Sequence, residues 1–190
     1  FTKEIDEAQL NGDIDLSIHS LKDLPYKLPK GLIIGAYLKR ADVRDALVSK
    51  KGIKLNDLKK NAIIGTSSVR REAQLRQISS DFQFLNIRGN IETRIKKVKE
   101  GKYDATLLAM AGLKRLNIKK GFNALNINEF TPAVGQGTIV VIVRAKDKKN
   151  REILKKISNT KTELESKCER NFLSAMQGSC QTPLGALAIL

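Results

Sequence analysis

"AIIGTSSVRREAQLRQISSDFQFLNIRGNIETRIKKVKEGKYDATLLA", residues 62–109, decides the architecture. Its rhythm is strand, glycine turn, helix, and then the same again. "AIIG" reads as a short apolar strand, "TSS" as a cap and "VRREAQLRQI" as a helix. "FQFLNI" is the next strand and "RGN" the next turn. In "IETRIKKVKEG", Ile91, Ile95 and Val98 share one helical face and Gly101 ends it. "DATLLAMAG" follows as a buried strand. Such alternation predicts a mostly parallel sheet with helices on both faces.

The pattern extends outward from this block. "TIVVIVRA" (138–145) is nearly all β-branched, as a strand covered on both faces requires. Near the start, "TKEIDEAQLNG" is a short amphipathic helix that Thr2 can cap and Gly12 can end. "DIDLSIHS" alternates, which predicts a half-buried strand with Ile14, Leu16 and Ile18 inward. "GLIIGAYL" (31–38) is a more apolar strand, and "RADVRDALVS" a crossing into new territory. "TKTELESKCERNFLSAM" is a long helix. Thr162 and Glu165 read as a capping box, with Leu164, Cys168, Phe172 and Ala175 on an apolar face.

Composition narrows the partners. Lys plus Arg is 35 against 20 Asp plus Glu, a net charge of +15, which calls for an anionic partner. Aromatic residues are 5% and Trp is absent, so base-stacking platforms are scarce. Much of the lysine sits in runs such as "KDKKNREILKK", which suit solvated helix faces. Two cysteines without a CxxC and a single histidine do not make a zinc pattern, and no metal site is expected. That cysteine usage fits a reducing compartment, hence the cytoplasm. No apolar run is long enough to span a bilayer.

Three stretches bear chemistry. "HSLKDLP" (19–25) follows a strand and so lies where open α/β sheets place ligand crevices. It brings Ser20, Lys22 and Asp23 together, either as a proton-transfer group or as an ordinary surface turn. "GTSSVRRE" (65–72) opens a helix with Thr66, Ser68 and two arginines. Arg70 and Arg71 oppose the helix dipole and repel each other, which an anion would relieve. "IRGNIETR" (87–94) repeats the arrangement with Arg88 and Arg94. Guanidinium groups bind carboxylates bidentately, so a small polycarboxylate suits the set. "QGSCQTPLG" (177–185) places Cys180 in a turn, where it is either an incidental surface cysteine or an accessible nucleophile.

In order along the chain, "HSLKDLP", "GTSSVRREAQL", "LNIRGNIETR", "AMAGLKRL", "PAVGQGT" and "GSCQTPLGA" resemble the porphobilinogen deaminase (hydroxymethylbilane synthase) family over essentially the whole length. Ser179 stands where that family usually has a second glycine. The resemblance implies a transferase that joins four porphobilinogen molecules head to tail, with loss of ammonia. The growing chain is built on a dipyrromethane cofactor, and the linear product is hydrolysed off. It implies that Cys180 carries that cofactor through a thioether and that Asp23 is the catalytic carboxylate. Ser20, Lys22, Thr66, Ser68, Arg70, Arg71 and Arg94 would contact cofactor. Arg88, Arg94 and Gln136 would contact substrate, Gln136 at a hinge.

The implied fold is α/β: two periplasmic-binding-protein-like doubly wound domains plus a small α+β C-terminal domain. Residues 1–40 would be the latter part of domain one, 41–132 domain two, 133–157 the hinge and return, and 158–190 the start of domain three. The N-terminal part of domain one and the end of domain three would be absent from this chain. A monomer that meets neither nucleic acid nor membrane is implied. The alternatives are a non-catalytic two-lobed binding protein for small polyanions and, on charge alone, a nucleic-acid binder.

Overall fold

The computed structural model describes residues 3–178 and 182–190. In chain order the elements are α1 (Lys3–Asn11), β1 (Leu16–Ser20), β2 (Leu32–Tyr37), β3 (Asp45–Ser49), β4 (Ile63–Gly65), α2 (Val69–Ile78), β5 (Gln83–Leu85), α3 (Ile91–Lys99), β6 (Ala105–Ala109), α4 (Met110–Arg115), β7 (Phe122–Ala124), β8 (Ile139–Arg144), α5 (Lys148–Lys155) and α6 (Thr160–Ala175). The described residues divide into two compact units. One gathers 3–41, 133–178 and 186–190, and the other 42–132 with 182–185.

The second unit follows the strand–helix rhythm of its sequence. Its sheet has the order β5-β4-β6-β3-β7. β4 runs parallel to β5 and β6, whereas β3 is antiparallel to β6 and β7. Leu47, Ile64, Leu75, Phe82, Leu107 and Phe130 form the core on one face; Val48, Leu108, Met110 and Leu113 form the other, packed against Ile91 and Ile95 of α3. Burial on both faces explains the near-continuous apolar runs of β3 and β6. Ser68 caps α2 by accepting from the Arg71 N–H, and Asn90 caps α3 by accepting from the Thr93 N–H.

The first unit departs from the parallel expectation. Its described sheet is β1-β8-β2, with β8 central and antiparallel to both neighbours. β8 enters through a turn at residues 134–137, where Gly135 and Gly137 take positive φ, rather than through a crossover helix. A returning segment can pair in either direction, so the crossover rule does not govern it. β8 itself is buried as its β-branched run requires: Val140 and Ile142 face one cluster, Val141 and Val143 the other.

Two faces are the reverse of the sequence expectation. β1 alternates, but Ile18 is 71% exposed and Leu16 also faces out, while Ser17 is buried. A polar network claims the inner face: the Ser17 hydroxyl donates to Gln9 Oε1, and Gln9 Nε2 donates to the Asp15 and Ile142 carbonyls. On α6, Leu164, Cys168 and Phe172 are exposed, and Thr162, Glu165, Ser166 and Glu169 are buried. The polar side is inside because Arg40 is there. Its guanidinium grips Glu169 with bonds of 2.7 and 3.0 Å, and Glu169 also accepts from the Gly135 and Ala188 N–H groups. α6 also begins earlier than the expected capping box. Asn159 is its cap and accepts from the Thr162 N–H, while Glu165 accepts from the Leu190 N–H. Gly12, at φ 92°, follows the end of helix α1, as expected, and the expected Thr2 cap lies outside the described residues.

Candidate functional site

In the second unit the named residues collect at one end of the sheet. Thr66, Ser68, Arg70 and Arg71 follow β4; Arg88 and Arg94 follow β5; both strands are parallel, so these are carboxyl ends. The hydroxyl groups serve the backbone. Thr66 Oγ1 accepts from the Ser68 N–H, and Ser68 Oγ from the Arg71 N–H.

Arg70 and Arg71 are buried, and both turn to Asp45 at the start of β3. Arg70 Nη2 lies 2.7 Å from Asp45 Oδ2, and Arg71 Nη2 lies 2.6 Å from Oδ1, with a second bond from Nε at 3.0 Å. The remaining donors find carbonyls: Arg70 Nη1 bonds Thr131 O and Arg71 Nη1 bonds Leu107 O. Burial alone would push the Asp45 carboxyl up, but the charges of Arg71 and Arg70 outweigh it and hold it below its usual range. Mutual repulsion of the two arginines is therefore relieved first by an internal carboxylate. Asp45 is the buried partner of these arginines that local sequence reasoning missed. The surplus of first-turn arginines signalled an anion, but nothing local marked which strand would supply it.

One carboxylate does not balance this corner. Arg94 on α3 is half-buried, its Nε donates to the Gly89 carbonyl, and its guanidinium is pulled down by burial and by the charge of Arg71. Arg94 thus feels the charge of Arg71, whose own carboxylate partner Asp45 is already shared with Arg70, which leaves positive charge in excess here. Arg88 is exposed at the same strand ends, and its carbonyl accepts from Lys97 Nζ. Such an arrangement can hold an anion that brings more than one carboxylate.

The first unit holds the other group. Ser20 ends β1, and Leu21–Asp23 form a single 3-10 turn. Leu21 is buried and its N–H bonds Thr138 O, which fixes the turn to the base of β8. Asp23 is exposed, and its carboxylate makes no hydrogen bond to a described residue; Lys22 beside it is half-buried. Gln136 is buried in the turn before β8, and its carbonyl accepts from Arg40 Nε. Cys180, the expected attachment point, lies outside the described residues.

Against known families, residues 1–152 match the model described as "Porphobilinogen deaminase, dipyromethane cofactor binding domain". The chain belongs to the porphobilinogen deaminase family. It therefore carries that family's dipyrromethane-binding domain. A porphobilinogen deaminase of Chlorobium luteolum is 47% identical over 99% of this chain and 60% of its own length. One from Brevibacillus brevis is 44% identical over 99% and 61%. The chain thus spans about three fifths of these family members. Among solved structures, a putative methionine-binding lipoprotein of Bacillus subtilis aligns with TM-score 0.55 at 15% identity, covering 97% of this chain and 83% of its own. An ancestral cationic amino acid solute-binding protein aligns at 0.55 and 14%, covering 93% and 72%. Those likenesses establish a solute-binding-protein type of α/β fold for this family member. The residues present suit an acidic oligopyrrole, because the Arg70–Arg71–Arg94 cluster keeps positive charge beyond what Asp45 neutralises.

Proposed function

We propose that this chain forms part of a hydroxymethylbilane synthase. Such a transferase polymerises four porphobilinogen molecules head to tail, releases ammonia, and frees the linear product by hydrolysis. The observation that carries the reading is the surplus of guanidinium charge at the strand ends of a chain in this family. When bound through a thioether to Cys180, dipyrromethane would supply the primer that is extended. Each of its pyrroles bears an acetate and a propionate, the acids this corner is charged to receive.

The residues divide the work. Arg94 and Arg88 receive carboxylates directly. Arg70 and Arg71, anchored by Asp45, add the field that favours them and keep the helix start from collapsing inward. Thr66 and Ser68 hold the loop open by satisfying its N–H groups. Asp23, exposed on its turn, faces positive charge on the reacting pyrrole and holds or returns its proton, with Lys22 and Ser20 beside it. Gln136 contributes to substrate binding from the turn before β8. Residues 1–40 and 133–157 are assigned to domain one, 41–132 to domain two and 158–190 to the start of domain three. The protein works as a cytoplasmic monomer.

Intact mass tests this. The wild-type protein should exceed its polypeptide mass by a dipyrromethane unit, and Cys180→Ser should not. A bare wild-type mass together with tight binding of a small polyanion would replace the reading with that of a solute receptor.

A further inference from the structure

We propose that Arg170 is a positioning residue for Asp23, an inference that rests on the function proposed above. Asp23 has no side-chain hydrogen bond to a described residue, so its place depends on the backbone around it. That backbone is held on the N-terminal side by Leu21, buried and bonded to Thr138 O at 3.0 Å. On the C-terminal side the hold comes from α6. Arg170 Nη2 donates to the Pro25 carbonyl at 2.7 Å and to the Tyr26 carbonyl at 2.5 Å. Tyr26 itself is exposed and contributes little packing.

The chemistry of the tie is specific. Two successive carbonyls converge on one guanidinium nitrogen, whose two N–H donors can serve one each. Burial pulls Arg170 below the usual arginine range, with the nearby Tyr37 phenol acting against that, and no carboxylate is bonded to it among the described residues. The cation is thus spent on backbone. It joins the Asp23 turn to the helix that precedes Cys180 in sequence, the two parts of this unit that must stay in register if carboxylate and thioether act on one substrate.

The experiment uses the intact protein and three readouts: mass, porphobilinogen turnover, and amide exchange in peptides spanning residues 20–28. Arg170→Gln and Arg170→Lys should both load the cofactor. In Arg170→Gln, kcat should fall about tenfold to a hundredfold while KM stays within about twofold, the signature of a displaced reacting group. Exchange should quicken in 20–28 and not in β8. Arg170→Lys should recover part of kcat, and methylguanidinium should restore part of it to Arg170→Ala. Normal turnover with unaltered exchange in Arg170→Gln would overturn the proposal, as would a loss of kcat explained by a missing adduct or by exchange rising throughout the unit. A wild-type protein without adduct or turnover would overturn the enzymatic reading instead, and the exchange comparison would still judge the tie.

Discussion

Asp45 is fully buried with a guanidinium on each oxygen. Removing one member of a buried ionic group leaves an uncompensated charge and costs about 3–5 kcal/mol. Asp45→Asn should therefore be strongly destabilised at neutral pH, measured by urea unfolding. The pH dependence follows from the depressed carboxyl. Its stabilisation is complete above the unfolded-state value of about 4 and is lost as pH falls through the lower folded-state value. The stability gap between wild type and Asp45→Asn should shrink on acidification below about pH 4. A gap that stays constant would show that Asp45 remains uncharged or unpaired. Arg94 differs, because among the described residues no carboxylate is bonded to it. Arg94→Leu should keep its thermal midpoint and lose cofactor loading, whereas Arg70→Leu should lose both. The arginines were legible in sequence from their place at a helix start. Asp45 was not, because its role depends on a contact between elements far apart in the chain.

Elements with local causes were legible too. The β4–α2–β5–α3–β6 order follows from hydrophobic period and glycine turns, and the Ser68 and Asn90 caps sit where their residue types prefer. The orientations of β1 and α6 were not. Period alone gives two faces and leaves open which is inside. For α6 the choice is made by Arg40, more than a hundred residues earlier, and by the Glu169 carboxylate that answers it. The consequence is testable and runs against hydrophobicity. Glu169→Ala should cost about 3–5 kcal/mol, while Leu164→Ser should change stability by no more than about 0.5 kcal/mol. Leu164 is 53% exposed and Glu169 is 2% exposed. Chemical denaturation of both variants decides between the two faces; a costly Leu164→Ser would mean that this helix buries its apolar stripe.

At the scale of the whole molecule, one unit is assembled from separated segments and the other is almost entirely the continuous stretch 42–132. That stretch has its own two-faced core, in Leu47, Ile64, Leu107 and in Val48, Leu108, Leu113. Expressed alone, residues 42–132 should unfold cooperatively and give dispersed amide resonances; a disordered spectrum would show that the core needs the rest of the chain. The recurring motifs gave the order of segments, and only the structure shows β8 slotted between β1 and β2. In the first unit, the Ala41 N–H bonds the Gly137 carbonyl at 3.0 Å, and the Leu38 N–H bonds Ile139 O. The outgoing and incoming backbones are thus clasped where the chain leaves and comes back. A guest protein spliced in at that clasp would have its ends brought together before it folds, with little extra loop entropy to overcome. The crossing is a natural socket for building a biosensor.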